Sequence, residues 1–234
     1  KFSRGIATGS NEYFTLTPEE KNKYNISEEC LYPCITKANF VKSILFSDND
    51  FNVLVKQNRK TYLFDGEKSD HKTCKDYIKK GEDENIHKKF LTKNRTPWYA
   101  LEKRRVAQIW VSVFGRSGLK FIWNTSNCKN LTCFHSFYPT ELGKKYLDIL
   151  FVYLNTSIAK NLFDREKREY GNGLEKFEPN DINKSLILNF EIISTQDINK
   201  LKKLQKEILI DGGKEKQKNI EKADLIFKSY LQSA

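Results

Sequence analysis

Two apolar runs separated by a short glycine-containing turn limit the folds open to this chain more than any other feature. Residues 108–114 alternate large apolar with smaller or polar side chains, and residues 119–124 form a second β-type run after Gly115-Arg116-Ser117-Gly118. Alternation with a period of two on both sides of such a turn is typical of a β-hairpin. We therefore predict a hairpin over residues 108–124, with the Arg116 guanidinium free at its turn.

Positive charge is concentrated around this predicted hairpin. Residues 87–120 contain nine Lys or Arg and one acidic residue, a net charge of +8, whereas the whole chain of 234 residues carries +11. Clustered cations of this kind are typical of a surface that binds a polyanion, and nucleic acid is the partner to consider first. For Arg116 alone, a solvated turn residue without a binding role is an equally good interpretation.

The pattern of apolar residues changes along the chain and predicts an α+β fold. Mixed β-sheets and hairpins are expected over about residues 1–139, followed by a helical region over about residues 140–234. In the first part we predict two short strands within residues 2–16, a short helix after Thr17-Pro18, a hairpin of residues 51–55 and 59–64, and a helix from Thr73 interrupted at Gly81. In the second part we predict helices over residues 140–163, 196–210 and 214–232.

Cysteine spacing and hydropathy bear on redox state and location. Five cysteines occur at spacings that miss the usual zinc pattern, so we expect reduced, mostly buried thiols and no metal site. No run reaches the roughly 18 apolar residues of a membrane span, and no signal-peptide core follows Lys1. We expect a cytoplasmic protein without a membrane partner. The strand-like beginning suggests that the chain is part of a longer parent.

Catalytic motifs are not evident in the sequence. His71, His87 and His135 have no Ser or Cys in a recognisable nucleophile setting, and we interpret His135 as a partly buried strand residue. A phosphate-binding Gly-x-x-x-x-Gly-Lys-Ser/Thr loop is missing, and Gly171-Asn172-Gly173 lacks the third glycine of a dinucleotide fingerprint. We therefore predict no catalytic residue and no cofactor-binding residue in this chain.

Three segments together resemble a known family. They are residues 4–14 (RGIATGSNEYF), residues 96–99 (TPWY) with 109–116 (IWVSVFGR), and residues 168–181 (REYGNGLEKFEPND). In this combination the chain is similar to the C-terminal specificity domain of TaqI-like, adenine-specific DNA methyltransferases of restriction–modification systems. The resemblance implies a target recognition domain over residues 1–190. Residues 191–234 would then form a helical hairpin that packs on it or serves as a docking arm.

The resemblance also implies a division of labour within a longer bacterial parent of type II or IIG. An N-terminal catalytic domain of the same chain would bind S-adenosylmethionine and methylate N6 of the target adenine. That family's catalytic loop, Asn-Pro-Pro-Tyr or a close variant, does not occur here. The expected partners are double-stranded DNA and the catalytic domain, and the chain alone is expected to be neither a cofactor-binding protein nor a methylase.

The residues expected to contact DNA fall into four groups. Cations expected at phosphates are Lys56, Arg59, Lys60, Lys103, Arg104 and Arg105, because phosphate contacts supply affinity and register. Residues beside loop glycines, expected at base edges or in close backbone approach, are Arg4, Asn11, Arg116, Asn172 and Lys176. Trp98 and Tyr99 would stack on DNA or belong to the core. Lys37, Lys120 and Arg168 complete the predicted set.

Two other functions remain open from the sequence. One is a stand-alone specificity subunit, which would use its C-terminal helix pair to dock a separate methylase. The other is a general module for RNA or single strands, with the aromatic residues as stacking platforms.

Overall fold

The computed structural model describes residues 1–115, 119–165, 168–170, 174–210 and 213–231. The strands are β1 (Phe2–Arg4), β2 (Thr15–Leu16), β3 (Leu31–Ile35), β4 (Leu45–Phe46), β5 (Tyr62–Phe64), β6 (Ile109–Ser112), β7 (Phe114–Gly115), β8 (Phe121–Asn124), β9 (Lys129–Asn130), β10 (Phe134–Phe137), β11 (Arg168–Tyr170) and β12 (Leu174–Lys176). The helices are α1 (Asn11–Phe14), α2 (Pro18–Lys23), α3 (Asp48–Lys56), α4 (Lys72–Asp83), α5 (Glu141–Lys145), α6 (Leu147–Leu154), α7 (Ser157–Phe163), α8 (Pro179–Lys184), α9 (Thr195–Ile210) and α10 (Gly213–Leu231). The predicted α+β fold with a helical C-terminal region is confirmed.

The central sheet has the strand order β1-β10-β6-β8-β4. Its β6 and β8 are antiparallel with Trp110 opposite Ile122, which confirms the two strands of the predicted hairpin. After Ser112 the chain leaves this sheet, because β7 pairs with β12 in a second sheet of order β11-β12-β7. The turn that holds Arg116 lies outside the described residues.

A third sheet, of order β2-β5-β3-β9, lies over a separate apolar cluster. Tyr13, Phe14, Leu63, Phe64 and Tyr77 are buried there. The two faces of the central sheet contact different clusters, since Ile109 and Val111 pack toward the C-terminal helices while Trp110 and Ile122 pack toward Phe46 and Phe134. Both faces of the predicted hairpin are therefore buried, each against a different apolar cluster.

The C-terminal helices share a core with the central sheet. Along α6, residues 149–154 are all buried, because the helix lies between the sheet and the pair formed by α9 and α10. Leu201, Ile208 and Phe227 of that pair are 0% exposed. The predicted helices at residues 196–210 and 214–232 are confirmed. The single helix expected over residues 140–163 is instead α5, α6 and α7, with Thr156 capping α7.

Short capping motifs decide two local structures. The predicted short helix is α2, and a capping box between Thr17 and Glu20 begins it. A second box, between Ser47 and Asp50, begins α3. Residues 51–55, predicted as a strand, are therefore helical, because the box satisfies the first N–H groups of the helix and α3 directs Leu54 into the core.

Two further predictions in the N-terminal part are wrong. Residues 11–14 form α1 rather than part of a strand. Helix α4 continues through Gly81, where a Cβ would lie 2.5 Å from Trp98 and 2.6 Å from Tyr13. This glycine permits the close approach of two aromatic rings and does not interrupt the helix.

The expectation that every thiol is reduced is also wrong. Cys30 and Cys74 form a disulfide, and Cys34, Cys128 and Cys133 are free. The two bonded residues are 44 positions apart in sequence but lie in the same buried cluster, so the sequence spacing gave no sign of their contact. Among the described helices, none has the length and apolar content needed to cross a membrane.

Candidate nucleic-acid interface

A concave pocket of about 430 Å³ brings together five cations from three parts of the chain. We call it the basic groove and define it by Lys68, Lys103, Arg104, Arg105 and Lys129. Its wall also contains the carboxylates of Asp65, Glu67 and Glu102 and the apolar side chains of Ile6, Tyr32, Leu63 and Leu101. The groove therefore combines an excess of positive charge with a partly apolar floor.

Strand pairing places Tyr32 and Lys129 on one side of the basic groove. β3 and β9 are parallel, with Cys34 opposite Lys129. The Lys129 ammonium lies 3.3 Å from the centroid of the Tyr32 ring, and the Lys68 ammonium lies 4.4 Å from it. Burial lowers the pKa of Lys129. The electron-rich ring of Tyr32 thus contacts two cations at the groove wall, and the Lys68 ammonium also donates to the Leu31 carbonyl.

Residues 101–106, which have no regular secondary structure, form another wall of the basic groove. Leu101 and Ala107 are buried and anchor the two ends, whereas Lys103 and Arg105 are exposed. Arg104 donates from Nη2 and Nε to one carboxylate oxygen of Glu102, at 3.1 and 3.2 Å. The Arg105 carbonyl accepts a 2.9 Å hydrogen bond from the Tyr138 hydroxyl. This segment is therefore tethered while its cations face outward.

A second cluster lies where β1, β10 and β12 approach one another. Arg4 is opposite His135 in the ladder, and the His135 Nε2–H donates to the Phe177 carbonyl at 2.8 Å. Lys176 pairs with Glu178 at 2.6 Å, and this hydrogen bond lowers the pKa of Glu178. Burial lowers the pKa of His135, so the ring is neutral near pH 7. We call Arg4, His135, Lys176 and Glu178 the Arg4 cluster.

The three segments that carry the family resemblance meet near the Arg4 cluster. β1 supplies Arg4 from the first segment, β7 continues the second, and β12 supplies Lys176 from the third. The pairing Phe114–Lys176 connects the second and third segments, and Arg168–Lys176 is a pairing within the third. Asn172, between β11 and β12, lies outside the described residues.

Several cations predicted at the interface bind the protein's own groups. Lys60 donates to the carbonyls of Glu12 and Thr15, both at 3.1 Å. Lys120 donates to the carbonyls of Val41 and Lys42 at 3.4 and 3.3 Å, and burial lowers its pKa. These two ammonium groups hold neighbouring backbone segments in place.

Two other cations in the basic window stabilise the loop after β1. The Arg95 guanidinium donates to the carbonyls of Thr8 and Ala7 at 2.9 and 2.5 Å. The Lys89 ammonium donates to the Ser10 hydroxyl at 2.8 Å. Part of the charge that indicated a polyanion surface therefore stabilises the fold instead.

The remaining predicted polar residues do not line the basic groove. Arg59 lines a different pocket of about 310 Å³. Lys37 and Lys56 are exposed, and the Asn11 carboxamide oxygen accepts a 2.6 Å hydrogen bond from Thr8. The predicted set is therefore divided among the basic groove, the Arg4 cluster and other parts of the surface.

Trp98 and Tyr99 are partly buried against the cluster under the third sheet. The Trp98 ring centroid lies 5.6 Å from that of Tyr13 and 5.6 Å from that of Tyr99. Its indole N–H donates to Glu82 at 3.2 Å. Trp98 thus connects α1 and α4, and these contacts favour the core reading of this residue over the stacking one.

Three groove residues were not identified from the sequence. Tyr32, Lys68 and Lys129 are isolated in sequence from the basic window, and no local pattern distinguishes them from ordinary surface residues. The pairing of β3 with β9 brings Tyr32 close to Lys129, and Lys68 follows β5, which pairs with β3. In the described part of the chain, no group of three or more His, Cys, Asp or Glu side chains could hold a metal ion.

Comparison with known proteins places this geometry in a family. The family "Type II methyltransferase M.Eco57I, C-terminal domain" matches residues 1–219. Type II methyltransferase M.AccI of Acinetobacter calcoaceticus is 45% identical over 230 residues, which cover 97% of this chain and 43% of the relative. Type II methyltransferase M.XamI of Xanthomonas campestris pv. amaranthicola is 23% identical over 190 residues, 80% of this chain and 35% of the relative.

The chain thus spans less than half the length of these curated relatives. Among solved structures, the type IIG restriction endonuclease BpuSI superposes with a TM-score of 0.53 at 14% identity, over 100% of this chain and 31% of that one. At this identity the superposition shows a shared fold. The family match over residues 1–219 shows that the chain belongs to the C-terminal domains of type II methyltransferases represented by M.Eco57I.

Proposed function

We propose that this chain is the duplex DNA recognition domain of a type II or IIG restriction–modification enzyme that methylates adenine at N6. The observation that carries the proposal is the basic groove, where five cations line one concave surface. Clustered Lys and Arg side chains bind a phosphate backbone, because they neutralise its charge and release condensed counterions, which favours association. The family membership supports a methyltransferase parent, and the adenine specificity rests on the resemblance of the three segments.

In this proposal the two charged regions have different roles. The basic groove holds backbone phosphates, and its exposed Lys103 and Arg105 set the position of the duplex. The Arg4 cluster lies where the family-like segments meet, and Arg4 and Lys176 read base edges there. The ion pair with Glu178 keeps the Lys176 side chain oriented before DNA binds.

Catalysis belongs to the rest of the parent chain. A base must leave the helical stack before it can be methylated, so one part of the enzyme grips the duplex while another receives the base. S-adenosylmethionine would supply the methyl group in that other part. Residues 1–190 act as the recognition domain, and residues 191–231 brace it, since α9 and α10 pack into the same core.

The first test removes charge from the basic groove. Replacing Lys103, Arg104 and Arg105 together by Ala should weaken binding to every duplex and reduce the slope of log K against log salt by up to about 3, because each phosphate contact contributes about 0.9. The matched control replaces Lys202, Lys203 and Lys206, exposed residues of α9, by Ala. Its net charge falls equally. Equal binding by the two variants would refute the groove as the DNA site.

The second test separates the alternatives. Competition between one duplex and its separated strands should favour the duplex, whereas a single-strand module would prefer the strands. An Asn-Pro-Pro-Tyr motif upstream in the same reading frame would support a methylase parent, and its absence would favour a stand-alone specificity subunit. Methylation-sensitive sequencing of DNA from cells with and without the parent gene would identify the modified base.

A further inference from the structure

A second pocket, of about 380 Å³, has a mainly apolar lining, in contrast to the basic groove. Apolar side chains from β1, β10, the start of the helical region and the segment after α8 line it: Phe2, Phe137, Leu142, Tyr146, Leu150, Ile187, Leu188 and Phe190. Leu142 is 51% exposed and Ile187 is 49% exposed at its opening, and neighbouring Leu186 is 83% exposed. Among its described lining residues, Lys1 carries the charge. We call it the Lys1 pocket.

The backbone of Lys1 shows where a preceding residue would run. The Lys1 nitrogen donates to the Tyr138 carbonyl at 2.7 Å, and the Tyr138 N–H donates to the Lys1 carbonyl at 2.9 Å. This reciprocal pair extends the antiparallel ladder in which Phe2 is opposite Phe137. A residue before Lys1 would therefore lie beside residues 139–140, and Thr140 lines the pocket.

The other edge of β1 is already occupied. The Asn183 carboxamide accepts from the Phe2 N–H at 2.7 Å and donates to the Phe2 carbonyl at 2.8 Å. Since Asn183 and β10 hold the strand from both sides, the direction of an upstream segment is set by these bonds. That direction leads along the Lys1 pocket, whose lining includes Lys1, Asn183 and Thr140.

We propose that the Lys1 pocket is the seat for the segment that immediately precedes this domain in its parent methyltransferase, with apolar side chains of that segment filling it. The inference rests on the proposed function in one respect, that a catalytic part precedes this C-terminal domain. The relatives are more than twice the length that the chain matches, so a large preceding part is available to supply it. A pocket of this volume accommodates several apolar side chains.

This seat gives the pocket a mechanical role in the enzyme. Apolar burial beside a fixed strand would set the orientation of the catalytic part relative to the basic groove, whereas a bare linker would leave the two parts free to reorient. The two surfaces have distinct chemistry, one apolar and one cationic, so the same domain can bind protein at one and nucleic acid at the other.

Hydrogen exchange on the longer protein, without DNA, tests the inference. Peptides covering residues 139–146 and 182–190 should exchange at least about tenfold more slowly in the parent than in the isolated domain, while peptides covering residues 101–106 should not change. Equal exchange of the pocket peptides in the two proteins would overturn the proposal. Protection of the isolated domain that rises with its own concentration would also overturn it, because a second copy would then cover the pocket.

Substitutions in the parent complete the test. L142S and I187S should each restore fast exchange to the pocket peptides, and L225S, at a residue 69% exposed on α10, is the matched control. Duplex affinity of the parent is measured alongside. Loss of protection in L142S and I187S, with duplex affinity unchanged by either substitution, supports the seat. This result does not depend on whether the basic groove is the DNA site. No difference between these variants and L225S would refute the seat while leaving the DNA-binding proposal intact.

Discussion

At the scale of single residues, the contact between Tyr32 and two ammonium groups is the main feature of the groove wall. The Lys129 and Lys68 ammonium nitrogens lie 3.3 and 4.4 Å from the centroid of the Tyr32 ring. Lys68 is exposed and Lys129 is half-buried, so both ammonium groups lie at the edge of the pocket. The aromatic face reduces the mobility of long side chains that would otherwise lose entropy on binding a phosphate.

Removing that ring should weaken DNA binding without removing charge. Tyr32→Leu is expected to lower duplex affinity about two- to fivefold, because a partly exposed cation–π contact contributes about 0.5–1 kcal/mol. Fluorescence anisotropy with one duplex at fixed salt measures the change. Tyr24→Leu is the matched control, since Lys80 and Lys23 lie over that ring outside the groove. An equal loss in both variants would contradict a specific role for Tyr32.

His135 is expected to make stability depend on pH. Burial lowers the pKa of this histidine in the folded state below its unfolded value near 6.5, so the folded protein binds fewer protons than the unfolded chain. Its contribution is fully present above about pH 6.5 and is lost as pH falls through that region, at no more than about 1.4 kcal/mol per pH unit.

Urea denaturation of wild type and His135→Gln between pH 7.5 and 5.5 measures this contribution. The glutamine can still donate to the Phe177 carbonyl but does not titrate. The wild type should therefore lose more free energy of unfolding across this range than the variant. Parallel pH profiles would show that His135 does not titrate as expected.

At the scale of secondary-structure elements, Asp224 connects two helices that are distant in sequence. Its carboxylate, on α10, accepts from the Ser157 N–H at 3.0 and 3.2 Å and from the Ile158 N–H at 3.4 Å. A helix N-terminus has free N–H donors and a partial positive charge, so a buried carboxylate there is both paired and stabilised. This contact fixes α10 on the body of the protein.

Asp224→Ala should destabilise the protein by about 1–2 kcal/mol, because it removes a cap and leaves partly buried N–H donors without their side-chain acceptor. Glu221→Ala is the control, because this acidic residue lies on the exposed side of the same helix. Chemical denaturation gives the free energy of unfolding of each variant. A loss of less than about 0.5 kcal/mol for Asp224→Ala, the scale of an ordinary surface change, would contradict the capping role.

At the scale of the whole molecule, the helix pair α9–α10 belongs to the main core. Leu201, Ile208, Ala223 and Phe227 are 0% exposed, and they contact the cluster that also contains Ile109 and Val111 of β6. Hydrophobic burial of this extent is typical of elements that fold together. The structure therefore favours packing of α9 and α10 on the preceding part of the chain over a free docking arm.

Truncation after residue 190 distinguishes these two arrangements. Removal of α9 and α10 would expose the buried face of α6, so the shortened chain should lose its cooperative unfolding transition and bind a hydrophobic dye. Calorimetry and dye fluorescence measure these changes. A shortened chain that unfolds cooperatively with the same duplex affinity would instead show that the helix pair is an independent arm.

The sequence by itself determined the elements whose burial has a strict local period. Alternation predicts the hairpin strands β6 and β8, and a 3.6-residue repeat predicts the helices α9 and α10. A local repeat is sufficient here because it indicates which face of the element is buried. The concentration of cations between residues 87 and 120 was equally readable. The strand predicted at residues 51–55 is wrong, because the apolar run there is too short to distinguish a helical period from a strand period.

Only the tertiary structure decided which cations remain available. Four cations donate hydrogen bonds to groups elsewhere in the fold: Lys60, Lys89, Arg95 and Lys120. No local sequence pattern predicts these partners. Lys129 enters the groove because β3 and β9 pair, and Lys68, which follows β5, enters it because β5 pairs with β3. The Lys68 ammonium also donates to the carbonyls of Leu31 and Glu28, so it is only partly available. A hydrogen-bond partner or a pocket wall depends on which distant segments meet, and that follows from packing of the whole chain rather than from any one stretch of it.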